Sequence, residues 1–175
     1  MNTFRRLFAR LEIDERLLGM LLSLIVIWVG FHIASDGKFI TPRNLYNLGN
    51  QTASVAVMAI GMVLVIIIRQ IDLSVGSMLG VTAMVMGVIQ AFWLPPLLDF
   101  GHPAIWIITV IGGILFGALL GALNGDIIGY LSVPSFVVTL GGLLIWRGCA
   151  WWGTYGQTVA PLDQTLMLLG GGVYG

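Results

Sequence analysis

Long apolar runs alternate with short polar breaks along the whole chain. Five runs, residues 17–34, 52–68, 73–94, 104–123 and 133–152, come close to the roughly 20 residues that a helix needs to cross a bilayer core. A membrane-spanning strand would show alternating polarity, whereas these runs are apolar throughout, and a helix satisfies its own backbone polar groups in lipid. The pattern predicts an all-α fold, a polytopic transmembrane helical bundle. Phe92, Trp93, Pro95 and Pro96 close the third run as an aromatic belt followed by a helix stop. Pro134 falls in the first turn of the fifth, where proline is tolerated. Arg147 lies near that run's far end, within snorkelling reach of the surface.

Composition sharpens this picture. With 58% hydrophobic and 9% charged residues and a mean hydropathy of +0.97, the chain lies far from soluble domains, which carry about 25% charged residues. A formal net charge of zero offers no basic surface for nucleic acid, so lipid and not nucleic acid is the expected environment. Cys149 is the only cysteine, and His32 and His102 are isolated, which argues against a disulfide framework or a metal site. Asp99-Phe100-Gly101 spells a kinase tripeptide without the rest of the kinase set.

Arg5, Arg6, Arg10 and Arg16 precede the first run and predict a cytoplasmic N-terminus. Residues 1–16 are then a cytoplasmic segment and 17–175 the transmembrane domain. The first run is read as a retained helix, because it is longer than a signal core and no small-residue cleavage site follows.

Two glycine stripes set how helices meet. Gly113, Gly117, Gly121 and Gly125 recur every fourth residue, and Gly76, Gly80, Ala83 and Gly87 form a similar row on the third helix. Such stripes let backbones approach closely. Packing within one subunit is expected for both, with a dimer seam as the alternative.

The sharpest break in the apolar pattern is "GMVLVIIIRQIDLSVGSMLG", residues 61–80. Arg69, Gln70 and Asp72 form either a tight surface turn between two spans or an interruption at membrane depth. In the second case Asp72 and Ser74 cap a new helical start, and broken helices at that depth line pathways. An ionisable residue within the membrane is by default a functional candidate.

This stretch resembles G-M-x-x-V-I-I-x-x-x-I-D-L-S-V-G-S of permease subunits in bacterial ABC importers for monosaccharides, the ribose/xylose/arabinose-type family. "GALNGDIIGYLSVPSFVVTLGGLLIWRG", residues 121–148, is similar to that family's A-x-N-G and V-P-S-F-[IV]-V-T-L blocks in order and spacing. "DGKFITPRNLYNLGNQTA", residues 36–53, resembles the loop before the family's second helix. Most members carry Gly-Gly where this chain has Arg69-Gln70; the xylose branch also replaces that pair, and its other blocks look most similar. The resemblance implies a permease component of an ATP-driven importer for xylose or a related pentose, in the bacterial inner membrane. It implies an ABC ATPase, a periplasmic sugar-binding protein and a second permease copy as partners. ATP and magnesium would sit on the ATPase, leaving this chain a non-enzymatic transport subunit without a cofactor. Consistently, its only lysine, Lys38, has no phosphate-binding loop around it.

Residues that match the family blocks and can hydrogen-bond sugar hydroxyls are Asp72, Ser74, Ser77, Asn124 and Thr139, with Phe136 able to stack on a sugar ring. Each also has a structural reading: capping for Asp72 and Ser74, a helix stop for Asn124-Gly125, packing for Phe136. Two other functions remain open. A proton-coupled secondary transporter would use an intramembrane acid as a relay. An intramembrane aspartyl protease would pair Asp72 with Asp126, since paired carboxylates must share a site. Family permeases run longer and contain a G-G-N-x-x-A-A-x-x-S-G segment for the ATPase, so the chain is expected to be an N-terminal portion, its C-terminal half absent, unable to couple to an ATPase alone.

Overall fold

In a computed structural model the chain is described for residues 15–170, and every regular element among them is helical. Residues 1–14 of the expected cytoplasmic segment lie outside the described residues. The helices are α1 (Glu15–Ala34), α2 (Pro42–Ile67), α3 (Val75–Val88), α4 (Pro95–Leu98), α5 (Ala104–Gly129), α6 (Ser135–Thr154) and α7 (Gln164–Leu169), with a π-helical turn, Ile89–Trp93, continuing α3. Five helices among the described residues, α1, α2, α3 with its π-turn, α5 and α6, are long and apolar enough to cross a membrane. Their large apolar side chains stand mostly exposed: Ile33, Val57, Leu144 and Trp152 are examples. In water that surface would be untenable, whereas in a bilayer it meets the acyl chains.

Two compact units divide the chain, Met1–Ala53 and Ser54–Gly175. In the first, α1 ends in a turn built by its own sequence. Asp36 and Gly37 take positive φ (50° and 80°), and the Gly37 N–H closes on the His32 carbonyl at 2.9 Å. Phe39 folds back to stack on Phe31 (ring centroids 5.5 Å apart) and meet Trp28 edge-on. The His32 Nδ1 accepts the Ile40 N–H at 3.4 Å. α2 then starts at Pro42, not at residue 52. Proline suits a first helical position because its missing N–H would be unpaired there, and the polar residues from Arg43 to Gln51 do not break a helix; they only fall below a hydropathy threshold.

In the second unit, α3 packs between α5 and α6, with few fully buried apolar side chains, among them Val81, Ile105 and Leu120. Glycine contacts replace a thick core. A Cβ on Gly113 would run into the Met86 side chain, one on Gly153 would lie 2.6 Å from Met84 Cε, and one on Gly87 would lie 3.2 Å from Val159 Cγ1. The expected stripes therefore split. Gly113 packs, a Cβ on Gly117 would meet only Thr82 Oγ1 at an ordinary 3.9 Å, and Gly121, Gly125, Gly76 and Gly80 face open space.

Three further boundaries differ from expectation. Pro95 and Pro96 do not simply stop the third helix. They open the one-turn α4 after the backbone passes through the π-turn, where the Leu94 N–H reaches the Ile89 carbonyl at 2.9 Å. α5 runs on to Gly129, past the expected stop at Asn124-Gly125, where the Asn124 side chain finds a partner in Ser74, just before α3; tertiary contact overrides the turn preference of Asn-Gly. Pro134 sits just outside α6, at φ −53° and ψ 130°, and its carbonyl accepts from Val137 and Val138.

Candidate functional site

The linker between α2 and α3 builds the site. α2 ends in a pair of reversed bonds, Arg69 N–H to Ile66 carbonyl (2.8 Å) and Gln70 N–H to Val65 carbonyl (3.1 Å), with Arg69 at φ 59°. This is a Schellman end whose left-handed position usually belongs to glycine. It has a direct bearing on Arg69-Gln70, since a glycine at 69 would meet that backbone demand without a Cβ.

Beyond it the chain runs without regular structure to Ser74, anchored on both sides. The Ile71 N–H donates to Ser135 Oγ at 3.3 Å, and Thr139 Oγ1 lies 3.3 Å from the Ile71 carbonyl and 2.8 Å from that of Ser135. Ser135 and Thr139 are four residues apart on α6 and so share a face. Asp72 Oδ1 accepts from the Ser74 N–H at 2.7 Å and from its hydroxyl at 2.6 Å. The Ser74 hydroxyl in turn accepts from Asn124 Nδ2 at 3.0 Å. Asp72 thus caps the turn into α3 as expected, but Ser74 does not: its own side chain makes no capping bond and instead bridges Asp72 to α5.

Asn124 stands five residues before the end of α5, about 7 Å along its axis, and Thr139 lies about 6 Å inside the start of α6. The linker therefore dips between two helices and does not turn on the surface of the unit. Ser74, Thr139 and Asn124 are 0%, 1% and 7% exposed, while Asp72 is half-buried.

A cavity of about 350 Å³ opens beside this linker. Its walls are Val65, Ile68, Gln70, Ile71 and Asp72, then Gly121, Asn124, Gly125, Ile128 and Gly129 of α5, and Ser135 and Thr139 of α6. The open half of the α5 glycine stripe forms one wall, so those glycines widen the cavity instead of seating a helix. Both bonds to Asp72 use Oδ1, which leaves Oδ2 free to accept a hydroxyl.

Of the six expected pathway residues, the structure brings four together: Asp72, Asn124 and Thr139 on the cavity, and Ser74 directly behind it. Ser77 and Phe136 lie elsewhere. The Ser77 hydroxyl bonds the Ser74 carbonyl at 2.7 Å, and its side chain borders a separate cleft between α3 and α6 with Arg147. Phe136 is 53% exposed and does not line the cavity, because it is the neighbour of Ser135 and helical geometry turns it about 100° away. Ser135 and Gln70, matched or noted in the sequence only as part of the V-P-S-F block and of the polar break, also line the cavity; the i, i+4 spacing of Ser135 and Thr139 was the available signal. The protease pair is not assembled. Asp126 follows Asn124 by two residues, about 200° around α5, and is exposed and outside the cavity.

Comparison with known proteins follows the same segments. A family model described as branched-chain amino acid transport system / permease component matches residues 44–166. The xylose transport system permease protein of Haemophilus influenzae is 40% identical over 153 residues, covering 87% of this chain and 38% of that protein. Its namesake in Escherichia coli is 39% identical over 153 residues, covering 86% and 36%. The ribose import permease protein of Escherichia coli is 36% identical over 139 residues, covering 78% and 40%. The chain thus spans well under half the length of these relatives. No solved structure is significantly similar. With most of its length matched by one family model, the chain belongs to the branched-chain amino acid transport system / permease component family.

Proposed function

We propose that this chain is membrane-spanning permease machinery of an ATP-driven sugar importer, taking xylose or a related pentose, and that the cavity beside Asp72 lies on the sugar's path. The observation that carries the reading is the 40% identity to a xylose transport system permease protein. That similarity covers 87% of the chain and so runs through every segment that walls the cavity. The chemistry of the walls agrees with a polar, uncharged solute. A carboxylate oxygen, two carboxamides and two hydroxyls stand among isoleucine, valine and glycine, which is a small number of polar groups on an apolar ground. Loose hydroxyl contacts suit a path that must release what it holds.

In this reading the chain sits in the bacterial inner membrane with its N-terminus in the cytoplasm. It pairs with a second permease copy, receives sugar from a periplasmic binding protein, and is driven by an ABC ATPase that holds the ATP and magnesium. The test is uptake of labelled xylose, ribose and allose into proteoliposomes carrying the complete permease, its ATPase and its binding protein. Uptake of xylose that needs ATP and survives a protonophore supports the reading. Uptake that collapses with the proton gradient and ignores ATP would overturn it in favour of a proton-coupled transporter.

A further inference from the structure

Trp146 lies on α6 one turn beyond Gly142, and its indole N–H is a buried donor with no hydrogen-bond partner among the described residues. An indole nitrogen can only donate, and a buried donor left unpaired is costly. Some acceptor must serve it in at least one state of the protein. The neighbourhood narrows the choice. The point where a Cβ on Gly142 would stand is 3.1 Å from Trp146 Nε1, 3.3 Å from Ser74 Cβ and 3.5 Å from Asn124 Nδ2. The indole and the Asn124 carboxamide therefore flank one gap, kept open by a glycine, in the buried wall behind the cavity.

Asn124 spends its Nδ2 on Ser74. That orientation is set chemically, because the Ser74 proton goes to Asp72 Oδ1 and its oxygen must accept. The carboxamide oxygen is the remaining acceptor on Asn124, and it enters none of the hydrogen bonds among the described residues. We infer that Trp146 is a positioning residue of the transport cluster: its indole N–H is a second seat for Asn124, taking the carboxamide oxygen when Asn124 releases Ser74. In the state described above, the chain Asn124 to Ser74 to Asp72 ties α5 to the start of α3. In the second state Asn124 is held by α6 instead, and Ser74 and Asp72 are free to move with α3. One hydrogen bond is exchanged for another, so neither state is strongly favoured. This inference rests on the transport reading for its role, though not for the contact itself.

The experiment has two arms. In the reconstituted complete transporter, Trp146→Phe removes the N–H and keeps the aromatic bulk. It is expected to lower the turnover of xylose uptake about fivefold with KM within about twofold, the pattern of a lost state and not of lost sugar binding. In an Asn124→Leu background the same change is expected to add no further loss, because the two residues act on one step. Unchanged turnover in Trp146→Phe, or independent losses that multiply, would overturn the inference and leave an ordered water as the indole's acceptor. In the second arm, the 175-residue chain is labelled with ¹⁵N at tryptophan and placed in nanodiscs, with the Trp146 indole signal assigned by its loss in Trp146→Phe. Asn124→Leu is expected to shift that signal; a signal that does not move overturns the contact whatever transport shows. If the wild-type transporter imports no sugar, the transport reading alone falls, and the indole signal still decides the contact.

Discussion

Asn124 on α5 donates through its carboxamide to the hydroxyl of Ser74, fifty residues earlier, at 3.0 Å, with both side chains out of solvent. This bond ties the interrupted stretch at Asp72 to α5, as the bonds from Ile71 to Ser135 and Thr139 tie it to α6. It explains why Asn-Gly fails to end α5, and it places the acid of the linker at a fixed height on the cavity wall.

Removing the donor tests how much that link matters. Asn124→Ala removes the bond that the Ser74 hydroxyl accepts while leaving the one it donates to Asp72 Oδ1, so the cost is that of one hydrogen bond, about 0.5–1.5 kcal/mol. The helix propensity of alanine returns only a few tenths of that. The variant is expected to unfold at lower temperature than wild type in detergent. An equal Tm would mean that water replaces the carboxamide.

Asp72→Asn separates charge from capping. A carboxamide oxygen still accepts from the Ser74 N–H and hydroxyl, so the turn into α3 should survive, but bonds to an ionised acceptor are roughly twice as strong as neutral ones. Uptake in the complete transporter is expected to fall about tenfold, equivalent to about 1.4 kcal/mol in the barrier, with membrane insertion unchanged. Uptake equal to wild type at matched membrane abundance would sink a pathway role for the carboxylate.

Arg69 offers a prediction in the opposite direction. Its φ of 59° is a conformation that costs an L-residue about 1–2 kcal/mol, against about 0.5–1 kcal/mol for the extra freedom glycine loses on folding. Arg69→Gly should therefore leave stability unchanged or raise it by up to about 1 kcal/mol, read as a higher Tm in detergent. A lower Tm would show that the exposed Arg69 side chain makes a stabilising contact worth more than the backbone strain.

These variants also mark what was legible in the sequence. Hydropathy found the spans because lipid demands long apolar runs, and it located the end of α1 at Ala34, where Asp36 and Gly37 supply the turn. It misplaced the start of α2 and the end of α5 because it reports where lipid is, not where hydrogen bonding stops; Asn44 and Asn124 are both polar and both helical. Asp72 stood out as an isolated acid. Its partners did not, because the bonds joining Ser74 to Asn124 and Ile71 to Ser135 close over fifty and sixty-four residues, and no local spacing encodes them. Phe136 was a candidate because it matches the family's V-P-S-F block and can stack on a sugar ring, and only the helix phase set by Ser135 and Thr139 turns it away from the cavity.

Gln90 gives the most demanding test, because two effects oppose each other at one residue. It lies in the π-turn with 0% exposure; its Oε1 accepts the Asp163 N–H at 3.1 Å, while its Nε2 has no partner among the described residues. Gln90→Leu removes the orphaned amide, relieving about 1–3 kcal/mol, but orphans the Asp163 N–H at a similar cost. The two should nearly cancel. Asp163→Ala has no such compensation: its carboxylate caps α7 by accepting from the Thr165 and Leu166 N–H groups at 2.9 and 3.4 Å, and losing a cap costs about 0.5–2 kcal/mol. The expected order in a thermal unfolding series in detergent is therefore wild type close to Gln90→Leu, with Asp163→Ala below both. If Gln90→Leu falls furthest, Nε2 is satisfied after all, by water or by further chain, and the π-turn is a polar junction and not a strained one.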